Sequence, residues 1–237
     1  MAGVDPHTVK AFDDDLEQIR ALVAELGGRA EAAVRDAANA LLSGDEATAA
    51  RVVASDVRID ALSEEIERGC IRLIALRAPM ADDLRQVLAA FKIGVLIERM
   101  GDCARGVAEQ VPKLQTFARR SPLLILKSMS TSVGEMVRCA MDAFVAQDVE
   151  AARLVCRSDD EVDALHDQLF RELVEVMGEH PSSISPGASL LLASKKLERI
   201  GDHATTIARV VHFSVTGEQL PPMRYRPETL TNLVDAR

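Results

Sequence analysis

The feature that most constrains this chain is a helical hydrophobic pattern that occurs twice, in register. Apolar or small residues fall at Val9, Leu16, Val23, Ala30 and Ala37, and at Phe12, Ile19, Leu26, Ala33 and Ala40. Two interleaved seven-residue series of this kind mark the seam of a long bundle helix. A second stripe carries Val52, Ile59, Leu62, Ile66, Leu73 and Leu76. A third has Ala90, Ile97, Ala104 and Val111, with Ile93, Met100 and Val107 between them. The series then restarts. Leu126, Val133, Ala140, Met129, Met136 and Ala143 stand 103 residues after their counterparts in the first stripe. Val155, Val162, Leu165, Leu169 and Val176 keep that offset from the second, and Leu190, Leu197, Ala204 and Val211 follow the third by 100. Register held over three helices identifies a duplicated three-helix unit, with a three-residue length difference near His180-Pro181.

Turn chemistry sets the boundaries. Asp5-Pro6 caps the first helix, Ser43-Gly44-Asp45 ends it and starts the second, and Arg77-Ala78-Pro79 stops the second. Pro112 marks the end of the third helix and Ser121-Pro122 opens the fourth. Gly27-Gly28 is expected to weaken the first helix locally and to mark a bend. Alternating β-type runs with hairpin turns do not occur. The expected fold is all-α: two tandem elongated three-helix bundles side by side, six long helices in all. Residues 1–115 form the first bundle, 116–217 the second, and 218–237 a tail with Pro221-Pro222 and Pro227.

The net charge of −9 and pI near 5.1 argue against a nucleic-acid or anionic-membrane partner reached by plain electrostatics. With no Trp and one Tyr, the chain also lacks the stacking platforms of single-strand binders. Asp5, Lys10 and Asp13 to Asp15 interrupt any signal-peptide pattern, and the best apolar run, Val87 to Ile97, is short and contains Lys92. The expected location is cytoplasmic. Cys70, Cys103, Cys139 and Cys156 show no metal-binding spacing and read as small buried or half-buried hydrophobes in a reducing compartment.

Within the repeat, Glu98-Arg99-Met100-Gly101-Asp102 returns as Glu198-Arg199-Ile200-Gly201-Asp202. Each copy places two carboxylates one helical turn apart, a like-charge pair costing roughly 0.2–0.5 kcal/mol on a bare helix. Asp56 and Asp60 on the second helix form another such pair, matched by Asp159 and Asp163. The carboxylates flank the apolar seams and are expected to contribute little to the core. One reading is a solvated acidic face with Arg99 and Arg199 as counter-ions. The other is a metal site, whose all-oxygen ligands suit Mg²⁺, Mn²⁺ or Ca²⁺, with iron admissible and zinc less natural. A di-metal carboxylate enzyme needs Glu-x-x-His on two helices. The nearest match is Asp163-x-x-His166, whose histidine is Ser63 in the other half. His166, His203 and His212 are geometrically available to a phosphotransfer bundle but read as ordinary helix-surface histidines. No phosphate loop or nucleophile elbow is present, and the chain is not expected to be an enzyme.

The duplicated unit, with Leu197-Glu198-Arg199-Ile200-Gly201-Asp202-His203-Ala204, Ile97-Glu98-Arg99-Met100-Gly101-Asp102 and the connection Arg77-x-Pro79-x-x-x-Asp83-Leu84-Arg85, strongly resembles the PhoU family of phosphate-signalling proteins over about residues 7–216. The resemblance implies two three-helix bundles, usually in a homodimer. It implies metal sites, of iron, Mn, Mg or Zn and multinuclear in form, at Asp56, Asp60, Glu98, Asp102, Asp159, Asp163, Glu198 and Asp202. It also implies negative regulation of the phosphate-starvation response, coupling the ATPase side of a phosphate ABC transporter to a membrane sensor histidine kinase, with the membrane reached only through those partners. Rival readings are an accessory protein for another phosphate or ion transporter, and a metal buffer.

Overall fold

Helix α1 (Pro6–Ser43) ends where Gly44 takes a positive φ of 72°, a conformation glycine adopts without steric cost. Asp45 then caps α2 (Glu46–Arg77), its carboxylate accepting from the Thr48 amide at 3.0 Å and the Thr48 hydroxyl at 2.6 Å. The same device returns 103 residues on: Asp148 accepts from the amides of Glu150 and Ala151 and caps α5 (Val149–Glu179). There the positive-φ position is Gln147, at 53°. In this computed structural model, which describes residues 6–114 and 120–220, the remaining helices are α3 (Ala81–Ala108), α4 (Arg120–Ala146) and α6 (Ile184–Thr216), with short 3₁₀ turns at Val111–Leu114 and Pro181–Ser183. No strand occurs among the described residues, and none of their helices is long and apolar enough to cross a membrane.

Helices α1, α2 and α3 pack on one another, as do α4, α5 and α6. The halves join through α3 against α6 and α1 against α4, which leaves α2 and α5 on the outside. One continuous core runs through both halves. Every residue of the first, third, fourth and sixth predicted stripes with a described side chain is buried in it; the side chain of Val9, like Asp5 and the tail beyond Leu220, lies outside the described residues. Two stripes need correction. Leu76 is 64% exposed, because α2 ends one residue later and its last turn overhangs α3. Leu165 and Val176 are half-buried, and Leu173 takes the core position that Cys70 holds in the first half. Truncating a fully buried member such as Ile97 to Ala carries a cost of about 2–5 kcal/mol.

The boundaries differ in two places. Helix α3 stops at Ala108, and Pro112 sits inside the 3₁₀ turn that follows. The length difference at Pro181 arises because Pro181–Ser183 makes the turn with residues that correspond to the first turn of α3. Gly27-Gly28 does not interrupt α1. Gly27 instead leaves room for the Met141 side chain of α4, at the joint between the halves, while Gly28 faces open space. A second joint is polar: Gln86 of α3 accepts from Arg20 of α1 and from Gln147, each at 2.9 Å, and donates to the Ser214 carbonyl of α6 at 3.2 Å.

Two positions spend stability locally. Ala78 caps α2 in the left-handed region, at φ 45°, which an L-residue with a Cβ adopts at a cost of about 1–2 kcal/mol, and Gly28 lies inside a helix with nothing near its Cα. Ala78→Gly and Gly28→Ala are each expected to raise the free energy of unfolding by about 0.5–1 kcal/mol, measured by urea or thermal unfolding.

Candidate functional site

The repeated Glu-Arg-x-Gly-Asp motif owes its glycine to the neighbouring helix. A Cβ on Gly101 would lie 2.9 Å from Ile59 Cγ2 and 3.5 Å from Asp56 Oδ1 of α2. On Gly201 it would lie 3.6 Å from Val162 Cγ1 and 3.7 Å from Asp159 Oδ1 of α5. The glycine thus lets α2 approach α3 closely, while the α5/α6 approach is looser, and in both halves an aspartate carboxylate lies over the motif. This brings the sequence-derived residues together as two clusters: Asp56, Asp60, Glu98 and Asp102 on the α2/α3 seam, and Asp159, Asp163, Glu198 and Asp202 on the α5/α6 seam. The two clusters do not merge into one site.

The expectation that these carboxylates stay out of the core fails at Asp56, which is only 4% exposed, because the small Gly101 surface draws it inward. Burying an ionised carboxylate is costly unless it is paired. In the first cluster the partner is Arg105, one turn beyond Gly101. Its Nη1 pairs with Asp56, its Nη2 lies 2.7 Å from Asp102 Oδ1, and its Nε lies 3.7 Å from Glu109. Asp56 Oδ1 remains buried without a hydrogen-bond partner. Burial, reinforced by Asp56 and Asp102, raises the Asp60 carboxyl above its usual range. Burial together with Asp102 and Asp60 does the same for Glu98, with Arg99 opposing.

The second cluster is answered differently. The position of Arg105 is taken by Thr205, which is buried beside Asp159, and that of Glu109 by Arg209. Burial raises Asp159 against the opposing influence of Thr205 and Arg209. Asp163 is pushed up to about 6 by burial and by the charges of Asp159, Glu198 and Asp202. Asp202 is raised by burial, Asp159 and Glu198. The direct cationic contact is Lys195 to Glu198, made by a lysine that is itself largely exposed. Arg99 and Arg199, the counter-ions expected from sequence, are exposed; they act across the α3/α6 contact, Arg99 toward His203 and Arg199 toward Cys103.

Among the described residues, no three Asp, Glu, His or Cys side chains converge around a single point as a metal would require. The donor chemistry nonetheless suits a hard cation better in the second half, where crowded carboxylates lack an inserted arginine. His166 stands at that cluster, near Glu198, with burial holding its imidazole below the ordinary range. His212 is not a surface histidine: it is 2% exposed, its Nδ1 lies 3.0 Å from the Glu218 carbonyl and its Nε2 3.3 Å from Arg153. All four cysteines are free; Cys139 is half-buried and the others are buried, with burial pushing the Cys70 thiol up to about 11. Sequence reasoning missed Arg105, Thr205 and Arg209. The available signal was the break in the repeat at those positions.

A PhoU domain model matches residues 23–111 and again 126–211. A phosphate-specific transport system accessory protein PhoU homolog of Zymomonas mobilis is 47% identical over 215 residues, covering 91% of each chain. A homolog of the same description from Caulobacter vibrioides is 40% identical, over 95% of this chain and 98% of that one. The crystal structure of PhoU from Pseudomonas aeruginosa superposes with a TM-score of 0.85 at 35% identity, covering 87% of this chain and all of the other. The phosphate transport system regulatory protein PhoU from Streptococcus pneumoniae gives 0.83 at 27% identity, over 89% and 99%.

The two motif glycines are not equivalent in their clearance. Gly101→Ala is expected to destabilise by about 1–3 kcal/mol through overpacking against Ile59. Gly201→Ala, whose new methyl meets only ordinary contacts, is expected to be neutral or stabilising by up to about 1 kcal/mol. Parallel denaturant titrations of the two variants check this.

Proposed function

The chain belongs to the PhoU family, and from that premise we propose that it is a non-catalytic accessory protein of phosphate transport that represses the phosphate-starvation response. The observation that carries this reading is the match of both halves to the family, at 47% identity to a phosphate-specific transport accessory homolog over nine-tenths of the chain. The physical character of the molecule supports a scaffold. Long helices share one core, Gln86 ties the two halves through the Ser214 carbonyl and Gln147, and the acidic clusters lie on the seams of the outer helices α2 and α5. In this reading the protein is a cytoplasmic homodimer that couples the ATPase of a phosphate ABC transporter to a sensor histidine kinase. Deleting the gene is expected to leave a phosphate-regulated phosphatase reporter high in phosphate-rich medium, and the intact gene to return it to low. A reporter that stays off in the deletion strain would overturn the repressing role.

Metal enters this proposal unequally in the two halves. Asp159, Asp163, Glu198 and Asp202 would hold a divalent cation such as Mn²⁺, Mg²⁺ or iron, which would supply positive charge where the carboxylates repel. Asp56, Asp60, Glu98 and Asp102 already receive Arg105, so a cation there competes with a guanidinium. Glu198→Gln with Asp202→Asn relieves the same repulsion by neutralisation. The doubly substituted protein is expected to melt higher than the parent without metal and to lose the Mn²⁺-induced rise in melting temperature. The parent should gain about 2.7 kcal/mol at a Mn²⁺ concentration one hundred times the dissociation constant. Glu98→Gln with Asp102→Asn should leave most of that rise in place. Differential scanning calorimetry with metal analysis of dialysed protein reads both effects.

A further inference from the structure

A groove of about 300 Å³ runs between the N-terminal half of α3 and the C-terminal half of α6. Its floor is apolar, with Leu88, Val210 and Phe213, and its rim carries Arg85, Lys92 and Arg209; among the described residues no carboxylate lines it. In a chain of net charge −9 this is a local reversal of sign. The cations are only partly answered from outside. Arg85 Nη2 meets the exposed Asp82 at 2.6 Å, and Arg209 faces Asp159 and Cys156. Among the described residues the buried Nε of Arg85 has no hydrogen-bond partner and Lys92 makes no ion pair, while Arg209 reaches Cys156.

The duplication supplies an internal control. The positions one hundred residues away from Arg85, Lys92 and Arg209 are Ser185, Leu192 and Glu109, so these three cations are not repeated, and the cation on that side is Lys196. On that side of the α3/α6 contact the space is also filled, because the stem of Lys196 lies across Gly106. The charged, open groove is therefore a property of one half-interface and not of the fold.

We propose that this groove binds a small organic phosphate, its phosphoryl group among Arg85, Lys92 and Arg209 and its apolar body on Leu88, Val210 and Phe213. Three cations match a phosphate ester, which carries close to two negative charges at neutral pH, better than a single carboxylate. Guanidinium groups present paired donors to its oxygens, and lysine adds a point charge. The apolar floor is surplus for inorganic phosphate and fits a ligand with a hydrophobic body. The site does not depend on the transport reading, although Arg209 also faces Asp159 of the second carboxylate cluster.

The test is isothermal titration calorimetry of the full chain at low salt with phenyl phosphate, inorganic phosphate and benzoate as probes. Phenyl phosphate is expected to bind at least about tenfold more tightly than either comparator. Lys92→Leu, which installs the residue of the copy at an exposed position, is expected to weaken it by about tenfold, the loss of one charge-assisted contact. A Lys92→Leu variant with unchanged affinity would overturn the site, as would the absence of phenyl phosphate binding at millimolar concentration. Inorganic phosphate or benzoate binding as tightly as phenyl phosphate would overturn the ligand class. A thermal melt of Lys92→Leu matching the parent establishes that a lost affinity is not a lost fold, and Leu192→Lys in the copy should leave binding unchanged.

Discussion

The close packing of α3 against α6 is the constraint on which the rest of the structure depends. The two helices run antiparallel, with Arg85 against Gly217 at one end and Gly106 against Lys196 at the other. Their motifs meet in the middle, where Arg99 faces His203 and Arg199 faces Cys103. Each helix therefore has two obligations. One face must bury against its counterpart in the other half, and another must admit its own outer helix closely enough to bring four carboxylates together. Glycine at position 101 resolves the conflict in the first half, because a helix without a side chain there can be approached closely by α2, whereas at position 201 the approach of α5 leaves room for a methyl. The repeated motif is thus first a packing device, and its acidic chemistry follows from the proximity that the packing creates.

Bringing carboxylates together costs free energy, and the two halves meet that cost by different means. In the first, a single arginine reaches three acidic residues, which concentrates hydrogen bonds and charge on a buried aspartate. In the second, the same helical position holds a threonine, and burial together with mutual repulsion raises the carboxyls, Asp163 furthest, to about 6. An arginine is supplied by the chain and cannot leave, whereas a cation from solution can be exchanged. If the second cluster takes a cation as proposed, only that half of the duplicated unit would respond to its surroundings.

Most of the fold was legible in the sequence because seven-residue periodicity reports burial directly: a stripe such as Ala90, Ile97, Ala104 and Val111 has one face and must put it somewhere dry. The caps were legible as well, since Asp45 and its counterpart Asp148 act on amides within three residues. The eight carboxylates were found by spacing and symmetry. Of their counter-ions, Arg99 and Arg199 were legible and act on Glu98 and Asp202, but Arg105 and Lys195 were not, because a long cationic side chain is free to reach several neighbours and local sequence does not say which. Arg99, next to Glu98 in the chain, points along the α3/α6 contact, while Arg105, seven residues away, crosses to α2. The burial of Asp56 was hidden for a related reason: it depends on what is missing from Gly101, a residue on another helix.

Reading the repeat for its similarities located the helices and the acidic clusters; reading it for its differences locates the chemistry. Where both halves agree, as in the apolar stripes of α3 and α6, the residues answer to packing that each bundle needs. Where they part, as at Arg105 and Thr205 or at Lys92 and Leu192, packing does not decide the residue, because the same helix pairing tolerates both. Charge placed at such a position needs another cause. In the first cluster that cause is the buried carboxylate it neutralises. In the groove between α3 and α6, Lys92 forms no ion pair among the described residues, and a phosphate ester of the kind proposed would supply one.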